Sequence, residues 1–326
     1  MSAAQQTYVH RSACRSGGRA SDIGWPLPTA TFDRLHCHAT ATRRPTSECA
    51  PDTERSAPRT RPETALPMCQ PPQAVDMRVE NSFLPAAGVG ERTERRLWQH
   101  GVTHWTDFDG DGPGIGDATA ENIYSFIDAA ERALDAGNTS FFADALPSGE
   151  LWRLYENVAD DVAFFDIETT GLDQHSSVVT TVSVHRGGDT TTLVRGSDLT
   201  AERLQALLDA PMVASFNGKR FDAPFLEHHF DLSLDSPHLD LMYPCRRLDL
   251  TGGLKQVERD LGVDRAEVDD VDGREAVRLW RRYAEDNDEA ALDRLVTYNQ
   301  YDTQNLQAIL DAVAERLHRD VFEPHV

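Results

Sequence analysis

Two acidic residues that could bind a metal ion follow an apolar run in the middle of the chain. Asp166 and Glu168 come at the end of the run Val162 to Phe165, which is typical of a buried strand. Side chains alternate along a strand, so both carboxylates point to the same side. Burying them unpaired costs on the order of several kcal/mol each. No Lys or Arg lies within this stretch, which makes a divalent metal ion the leading candidate for the counter-charge. The alternative is a strand that reaches the surface early and leaves both acids in water.

Two later segments carry further acidic residues. Asp222 begins a helical segment that follows the predicted strand Pro211 to Phe216, with Asn217 at the end of that strand. Tyr298 and Asp302 are four residues apart in a predicted C-terminal helix, so they share one helix face. The rest of that face is apolar, and a phenol and a carboxylate there need polar partners. The alternative is a Tyr–Asp contact on a hydrated helix face.

Strands and helices alternate from residue 151 onward, and this pattern predicts an α/β domain. A hairpin follows the first strand, because two extended runs are joined by Gly187 and Gly188. Short apolar strands and amphipathic helices follow, with Thr200 as the predicted N-cap of the first of these helices. The predicted helices are Leu199–Leu208, Leu254–Leu261, Arg274–Tyr283 and Glu289–Leu317.

Residues 82–136 contain an internal repeat in which a Gly-apolar-Gly turn precedes the first turn of a helix. The glycines permit a tight turn with positive φ, and the helix N-terminus presents free N–H groups that can hold a phosphate. The pattern resembles the helix-hairpin-helix, a sequence-independent DNA-binding element. The alternative is a pair of ordinary turns in a small packing domain. The four turn glycines are Gly88, Gly90, Gly114 and Gly116.

The charge balance is strongly acidic, with a formal net charge of −22. Only Lys219 and Lys255 are lysines, which together with the acidic excess is typical of a protein from a salt-loaded cytoplasm, and we expect a haloarchaeal source. Such a surface does not hold nucleic acid by bulk electrostatics, so nucleic-acid contacts must be local. No 18-residue apolar run and no signal-peptide core occur, so we expect a cytoplasmic protein without a membrane span.

Residues 1–76 differ from the rest, with nine Arg against seven acidic residues and no hydrophobic periodicity. Three interpretations stay open: a disordered basic tail that contacts nucleic acid, a segment outside the natural protein with translation starting at Met68 or Met77, and an organelle transit peptide. Four of the five cysteines lie here, without the close spacing of zinc ligands. Of the three interpretations of residues 1–76, we favour the second, in which translation starts at Met68 or Met77.

The three acidic segments, taken in order, resemble the exonuclease motifs of the DEDD superfamily. They read Asp-x-Glu on a strand, Asn-x4-Asp after a later strand and Tyr-x3-Asp on a C-terminal helix. The Tyr subclass is indicated, because the His subclass carries its His five residues before the last Asp and this chain has Thr297 there. The domain is most similar to that of the YprB-like family. The resemblance rests on Phe165–Leu172, Asn217–Leu226, His238–Leu241, Leu254–Gly262, Asp269–Trp280 and Tyr298–Leu306.

This resemblance implies a ribonuclease H-like mixed sheet flanked by helices over residues 151–326. A small all-α domain resembling a helix-hairpin-helix would precede it over residues 77–150, after a disordered or mis-assigned segment over residues 1–76. The implied activity is 3′–5′ exonuclease action on a 3′ end of DNA or RNA, with release of 5′-monophosphates, and we expect the substrate to be single-stranded. The implied cofactors are two divalent ions, Mg²⁺ or Mn²⁺.

The resemblance also implies a role for each residue of the site. Asp166 would bridge both metal ions, Glu168 and Asp302 would complete the first, and Asp222 would hold the second. Tyr298 would orient the attacking water, since an unperturbed phenol titrates near 10 and is a poor base. Contacts to the substrate strand are expected from Asn217, Lys219 and the glycine turns. Two alternatives remain: a catalytically silent nucleic-acid-binding module, and an endonuclease on the same scaffold.

Overall fold

The computed structural model describes residues 77–147, 149–265 and 267–326; the predictions for residues 1–76 lie outside this part of the chain. Within it, five strands form one sheet in the order β3-β2-β1-β4-β5. The first three strands are antiparallel neighbours, whereas β4 and β5 run parallel to β1, so the sheet is mixed. The strands are β1 (Val162–Thr169), β2 (Val179–Arg186), β3 (Asp189–Val194), β4 (Met212–Ser215) and β5 (His238–Asp240).

Helices precede the sheet and cover both of its faces. The α-helices are α1 (Glu91–Gln99), α2 (Asp117–Asp135), α3 (Thr139–Ala145), α4 (Tyr155–Val158), α5 (Ala201–Leu208), α6 (Asp222–Phe230), α7 (Met242–Arg247), α8 (Leu254–Leu261), α9 (Gly273–Asp286) and α10 (Glu289–Leu317). Short 3₁₀ turns occupy Val79–Asn81, Trp105–Asp107, Leu151–Leu154, Ala159–Asp161 and Glu323–His325, and a π-helical turn occupies His318–Phe322. Thr200 caps α5 as the sequence predicts, because its hydroxyl accepts the Arg203 N–H.

The strand β1 is buried on both faces, and its alternating side chains enter two different cores. Phe164 packs in the cluster that contains Leu306 of α10, whereas Phe165 packs in the cluster that contains Phe225 of α6. Even-numbered residues of β1 therefore face α10, and odd-numbered residues face α5 and α6. This division decides where the acidic residues of the strand point.

The helical segment before the sheet shares the first of these cores. The cluster runs from Met77 and Trp98 through Phe142 to Phe164 and Leu317 without a break. A buried ion-pair network joins the same parts. Arg153, which has no exposed surface, pairs with Glu94 of α1 at 3.0 Å and with Glu150 at 2.6 Å. The helices of residues 77–147 are thus fixed to the sheet by apolar packing and by buried charges.

Candidate metal centre

The carboxylates of β1 face α10 at the point where the sheet opens. Asp166 and Glu168 share the face of Phe164, and β4 pairs with β1 only as far as the pair Phe164 and Ala214. Beyond that pair β4 turns away, so the end of β1 has no neighbour on that side within the described sheet. The C-terminal ends of the parallel strands β1, β4 and β5 therefore bound a crevice, the usual place for a site in such a sheet.

Three carboxylates converge in this crevice. Asp166, Glu168 and Asp302 each offer an oxygen, and these three oxygens lie within 4.8 Å of one another. Asn299, one turn before Asp302 on α10, donates from its amide to Asp166 Oδ2 at 2.7 Å. The amide oxygen of Asn299 accepts the Thr181 hydroxyl at 2.9 Å, which fixes the orientation of the side chain. The position of Asp166 is thereby set from both β2 and α10.

Asp222 lies beside this group at the N-terminus of α6. Its Oδ1 accepts the Ile167 N–H at 3.2 Å, so the carboxylate sits against the backbone between the two acids of β1. Gly218 makes this approach possible, since a Cβ there would lie 3.1 Å from Asp222 Oδ2 and 2.1 Å from Ser215 Oγ. Asp222 stands outside the group of three close oxygens but within the same cluster of negative charge.

Burial raises the pKa of all four carboxylates. The pKa values of Asp166 and Glu168 lie well above their usual range, first because burial disfavours the charged form and then because the neighbouring acids repel it. Burial raises the pKa of Asp222 to about 7 and that of Asp302 to about 6. The cluster therefore favours the entry of positive charge, from protons or from metal ions.

A basic residue that the sequence did not associate with the site contacts Asp302. The Arg265 Nη2 atom donates to Asp302 Oδ1 and, at 2.7 Å, to Glu258 Oε1. Burial alone would lower the pKa of Arg265, but the Asp302 and Glu258 carboxylates raise it above its usual value. The stretch around Asp166 contains no Lys or Arg, but Asp302 forms an ion pair with Arg265 from the remote α8–α9 connection.

Tyr298 lies directly above this contact on α10 and is 6% exposed. Its ring lies near two cations: the Lys255 ammonium is 5.5 Å from the ring centroid and the Arg265 guanidinium carbon is 5.8 Å from it. Burial, followed by repulsion from Asp302, raises the pKa of the phenol further above its usual value. The hydroxyl is therefore neutral at any ordinary pH and can orient a hydrogen-bonding partner but not remove its proton.

The predicted substrate-contacting residues of the β4–α6 turn lie at the rim of the crevice. Asn217 has a left-handed backbone with φ of 63°, and its N–H donates to Asp240 Oδ1 at 2.8 Å. Asp240 also accepts the N–H groups of Lys219 and Met242, so its carboxylate shapes the turn. The Lys219 side chain is exposed. A cleft of about 380 Å³ borders this turn and the β1–β2 loop, where Leu172 is 86% exposed.

The glycine turns of the helical segment have the backbone geometry that the repeat predicts. Gly88 and Gly114 have φ of 90° and 86°, and Gly90 and Gly116 are the extended N-caps of α1 and α2. The turn before α1 lies against α2, and the turn before α2 lies against α1. A Cβ on Gly88 would lie 3.3 Å from the Thr119 hydroxyl of α2, and a Cβ on Gly114 would lie 3.3 Å from Arg96 Nη1 of α1. All four glycines are exposed.

The donor set fits small, hard divalent cations. Carboxylate oxygens with no sulfur or imidazole among them are the ligands of Mg²⁺ and Mn²⁺. Asp166, Glu168 and Asp302 would hold one such ion, since their oxygens are already within 4.8 Å of one another. Asp166 and Asp222 are the carboxylates available to a second. The raised pKa values are a further observation in favour, because a cation among these groups would relieve their repulsion.

The comparison with protein families agrees with the observed sheet. A model of the RNase_H superfamily matches residues 163–314, a segment that begins in β1 and ends in α10. The fold is ribonuclease H-like. The ribonuclease H-like fold class predicted from the sequence is therefore confirmed, while the helix-hairpin-helix character of residues 77–150 and membership of the YprB-like family and of the Tyr subclass stay predictions. No curated protein sequence matches the chain.

Several solved structures are similar to part of this ribonuclease H-like chain. A structure titled "apo form of the nuclease" is 24% identical, covers 51% of this chain and 76% of its own, and gives a TM-score of 0.38. NrnC of Brucella melitensis with bound Mg²⁺ is 23% identical over 52% of this chain and 80% of its own, with a TM-score of 0.36. The family B DNA polymerase of Pyrobaculum calidifontis is 18% identical over 48% of this chain and 24% of its own, with a TM-score of 0.37.

Sequence reasoning missed the residues that position the acids. Asn299 carries a weak sequence signal, since it lies one turn before Asp302 on the same predicted helix. Asn305, one turn after Asp302, carries the same weak signal. Arg265 and Glu258 carry none, because they reach the site through the packing of α8 and the α8–α9 connection on α10. Among the described helices, none is both long enough and apolar enough to cross a membrane.

Proposed function

We propose that the protein is a metal-dependent 3′–5′ exonuclease that hydrolyses phosphodiester bonds of nucleic acid. The observation that carries the proposal is the convergence of Asp166, Glu168 and Asp302, three carboxylates from two remote segments, with oxygens within 4.8 Å of one another. Asp222 adds a fourth negative charge beside them. The ribonuclease H-like fold supports the proposal, because its sheet brings these carboxylates to one crevice.

The carboxylates of the chain would hold the divalent cations that the reaction needs. Two divalent ions, when bound, would supply an activated water, charge stabilisation at phosphorus and relief of charge on the leaving oxygen. Asp166, held by Asn299, would be the ligand shared by both ions. Glu168 and Asp302 would complete the first, and Asp222 would hold the second. The neutral Tyr298 hydroxyl orients the water beside Asp302.

The rim of the crevice offers contacts for the end of a nucleic-acid strand. The exposed Lys219 ammonium suits a backbone phosphate, and the exposed Leu172 offers an apolar surface to a base. The substrate that we expect is the end of a nucleic-acid strand, preferably unpaired. The exposed glycine turns would contact the phosphates of the same nucleic acid at a distance from the site.

Replacing Asp166, the proposed bridging ligand, or Asp302, the ligand on α10, tests the proposal. We expect Asp166→Asn and Asp302→Asn to lower the rate of Mg²⁺- or Mn²⁺-dependent hydrolysis at least about a thousandfold, since each removes a ligand. For Tyr298→Phe we expect a partial loss of about tenfold, because the ligands remain. The measurement uses matched DNA and RNA single strands labelled at the 5′ end, with products resolved by length.

The matched control is Asp293→Asn, which changes an exposed acid on the same helix and should leave the rate unchanged. A ladder that shortens from the 3′ end supports exonuclease action. Internal fragments as first products would favour the endonuclease alternative. Full activity in Asp166→Asn would contradict the assignment, and metal-independent binding without hydrolysis would favour the silent binding module.

A further inference from the structure

Arg265 makes an unusual set of contacts for a residue that is only 6% exposed. A single nitrogen, Nη2, donates to both Asp302 Oδ1 and Glu258 Oε1. The other two donor nitrogens, Nε and Nη1, are buried and have no hydrogen-bond partner among the described residues. A guanidinium has five N–H donors in a fixed fork and normally satisfies them when it is buried. Arg265 is therefore tied to the site through one corner only.

Glu258 is the complementary half of this arrangement. It is 1% exposed, and its Oε1 accepts from Arg265 and, at 2.8 Å, from the Asn305 amide on α10. Its second oxygen, Oε2, is buried without a hydrogen-bond partner among the described residues. A two-oxygen pairing of Glu258 with Arg265 would use the free oxygen of one and a free nitrogen of the other. Such a pairing would keep Arg265 balanced by Glu258 when Asp302 is released.

Arg265 and a divalent ion therefore need the same carboxylate. We propose that Arg265 competes with the metal ion for Asp302 and so sets the metal affinity of the site, with Glu258 as the partner that keeps Arg265 paired when Asp302 is released. This inference rests on the proposed function, since it needs the metal site. Two cations at one carboxylate repel each other, and the alternative pairing with Glu258 lowers the cost of displacing the guanidinium.

A purely structural ion pair is the competing explanation, in which Arg265 pins the α8–α9 connection to α10. The two explanations differ in what happens to metal binding. A structural pair contributes equally with and without metal, so its loss changes stability and leaves metal affinity unchanged or weaker. A competing cation acts against the metal, so its loss makes metal binding tighter, as linkage between two ligands of one site requires.

The test measures binding of Mn²⁺ directly, by the electron paramagnetic resonance signal of free Mn²⁺ during titration of the purified protein. We expect Arg265→Gln to bind Mn²⁺ roughly tenfold more tightly than the wild type, within the usual range of coupling between two ligands. Glu258→Gln should have the opposite effect, with weaker Mn²⁺ binding, because Arg265 then keeps Asp302 as its charged partner. Arg278→Gln, which changes an exposed Arg paired with Glu275, is the charge-matched control and should bind as the wild type does.

Each outcome decides between the explanations. Unchanged or weaker Mn²⁺ binding in Arg265→Gln would overturn the inference, provided that circular dichroism shows a folded protein. Should that variant fail to fold, Glu258→Gln still decides, because binding as tight as in the wild type or tighter would overturn the exchange of partners. A wild-type protein that binds no Mn²⁺ in this experiment would overturn the proposed metal site itself, and with it the inference.

Discussion

Burying the carboxylates of the crevice comes at a cost to the stability of the fold. Burial raises the pKa of Asp222 to about 7. The pKa values of Asp166 and Glu168 lie well above their usual range, because both side chains are buried and because their acidic neighbours repel them. The folded protein therefore holds protons, or other positive charge, that the unfolded chain would release at neutral pH. Positive charge at the site and stability of the fold are linked.

This linkage gives a pH prediction for the protein in a metal chelator. The pKa of Asp222 rises from about 4 in the unfolded chain to about 7 in the fold, so its contribution to stability is complete below about pH 4 and is lost as the pH rises to about 7. Asp222→Asn, which imitates the protonated form, should raise the free energy of unfolding at pH 8 by as much as about 4 kcal/mol. The measurement is urea unfolding between pH 4 and pH 8.

The exposed Asp293→Asn serves as the control and should follow the wild-type pH profile. Mg²⁺ in place of the chelator should reduce the difference between Asp222→Asn and the wild type, since the ion supplies the missing charge. Parallel pH profiles for Asp222→Asn and the wild type would show that Asp222 does not take up a proton in the fold.

At the scale of single elements, the length of β1 relative to β4 creates the site. The parallel pairing stops at Phe164, two residues before Asp166, so the acids extend past the sheet edge that β4 would otherwise cover. The helix α10 then crosses the same face and brings Tyr298, Asn299 and Asp302 to it. The extension of β1 beyond β4 and the crossing of α10 over its end bring Asp166, Glu168 and Asp302 together.

The glycine turns before α1 and α2 carry a prediction at the same scale. Gly90 and Gly116 are exposed N-caps with extended backbone, and a Cβ at either would meet no atom within 4 Å. Gly90→Ala combined with Gly116→Ala should therefore cost only about 1 kcal/mol of stability or less for each change. The added methyl groups would nevertheless obstruct the close approach of a phosphate to the helix N–H groups, so DNA binding should weaken several-fold.

The measurement is fluorescence anisotropy of labelled DNA in a chelator, which prevents hydrolysis. Gly273→Ala is the matched control, because it adds a methyl group in open space at the start of α9. DNA affinity that is equal in the double variant and the wild type would favour the alternative interpretation, in which the two turns only pack the helical segment.

At the scale of the whole molecule, the excess of acidic residues dominates. The net charge of −22 on 326 residues acts against compaction, because like charges repel across the surface. The buried Arg153 network and the shared apolar core hold the helical segment to the sheet despite this repulsion. The fold should therefore be most stable at high salt concentration, where the surface charges are screened.

We expect the midpoint of thermal unfolding to rise as KCl increases from about 0.1 M to about 2 M, because the screening length falls from about 10 Å to a few Å. A variant with three exposed acids neutralised, Glu131→Gln, Glu202→Gln and Asp286→Asn, should show a smaller rise. The comparison is made by circular dichroism melts in a KCl series. A midpoint that falls with KCl in the wild type would contradict the adaptation to high salt predicted from composition.

The ribonuclease H-like fold class was predicted from the resemblance of the three acidic segments to a known family. The candidate acids were predicted from local patterns: alternation placed Asp166 and Glu168 on one side of a strand, and helical spacing placed Tyr298 and Asp302 on one face. These are properties of neighbouring residues, and periodicity reports them directly. The positive φ of the turn glycines belongs to the same class of local inference.

The tertiary structure alone decided which remote side chains meet. Nothing in the spacing of Arg265 and Glu258 links them to Asp302, because their contacts arise from packing α8 and the α8–α9 connection against α10. Asp222 stands beside the backbone of Ile167 for a similar reason, since Gly218 allows the close approach. Distances between segments depend on the sum of all packing interactions, and a local pattern does not contain that sum.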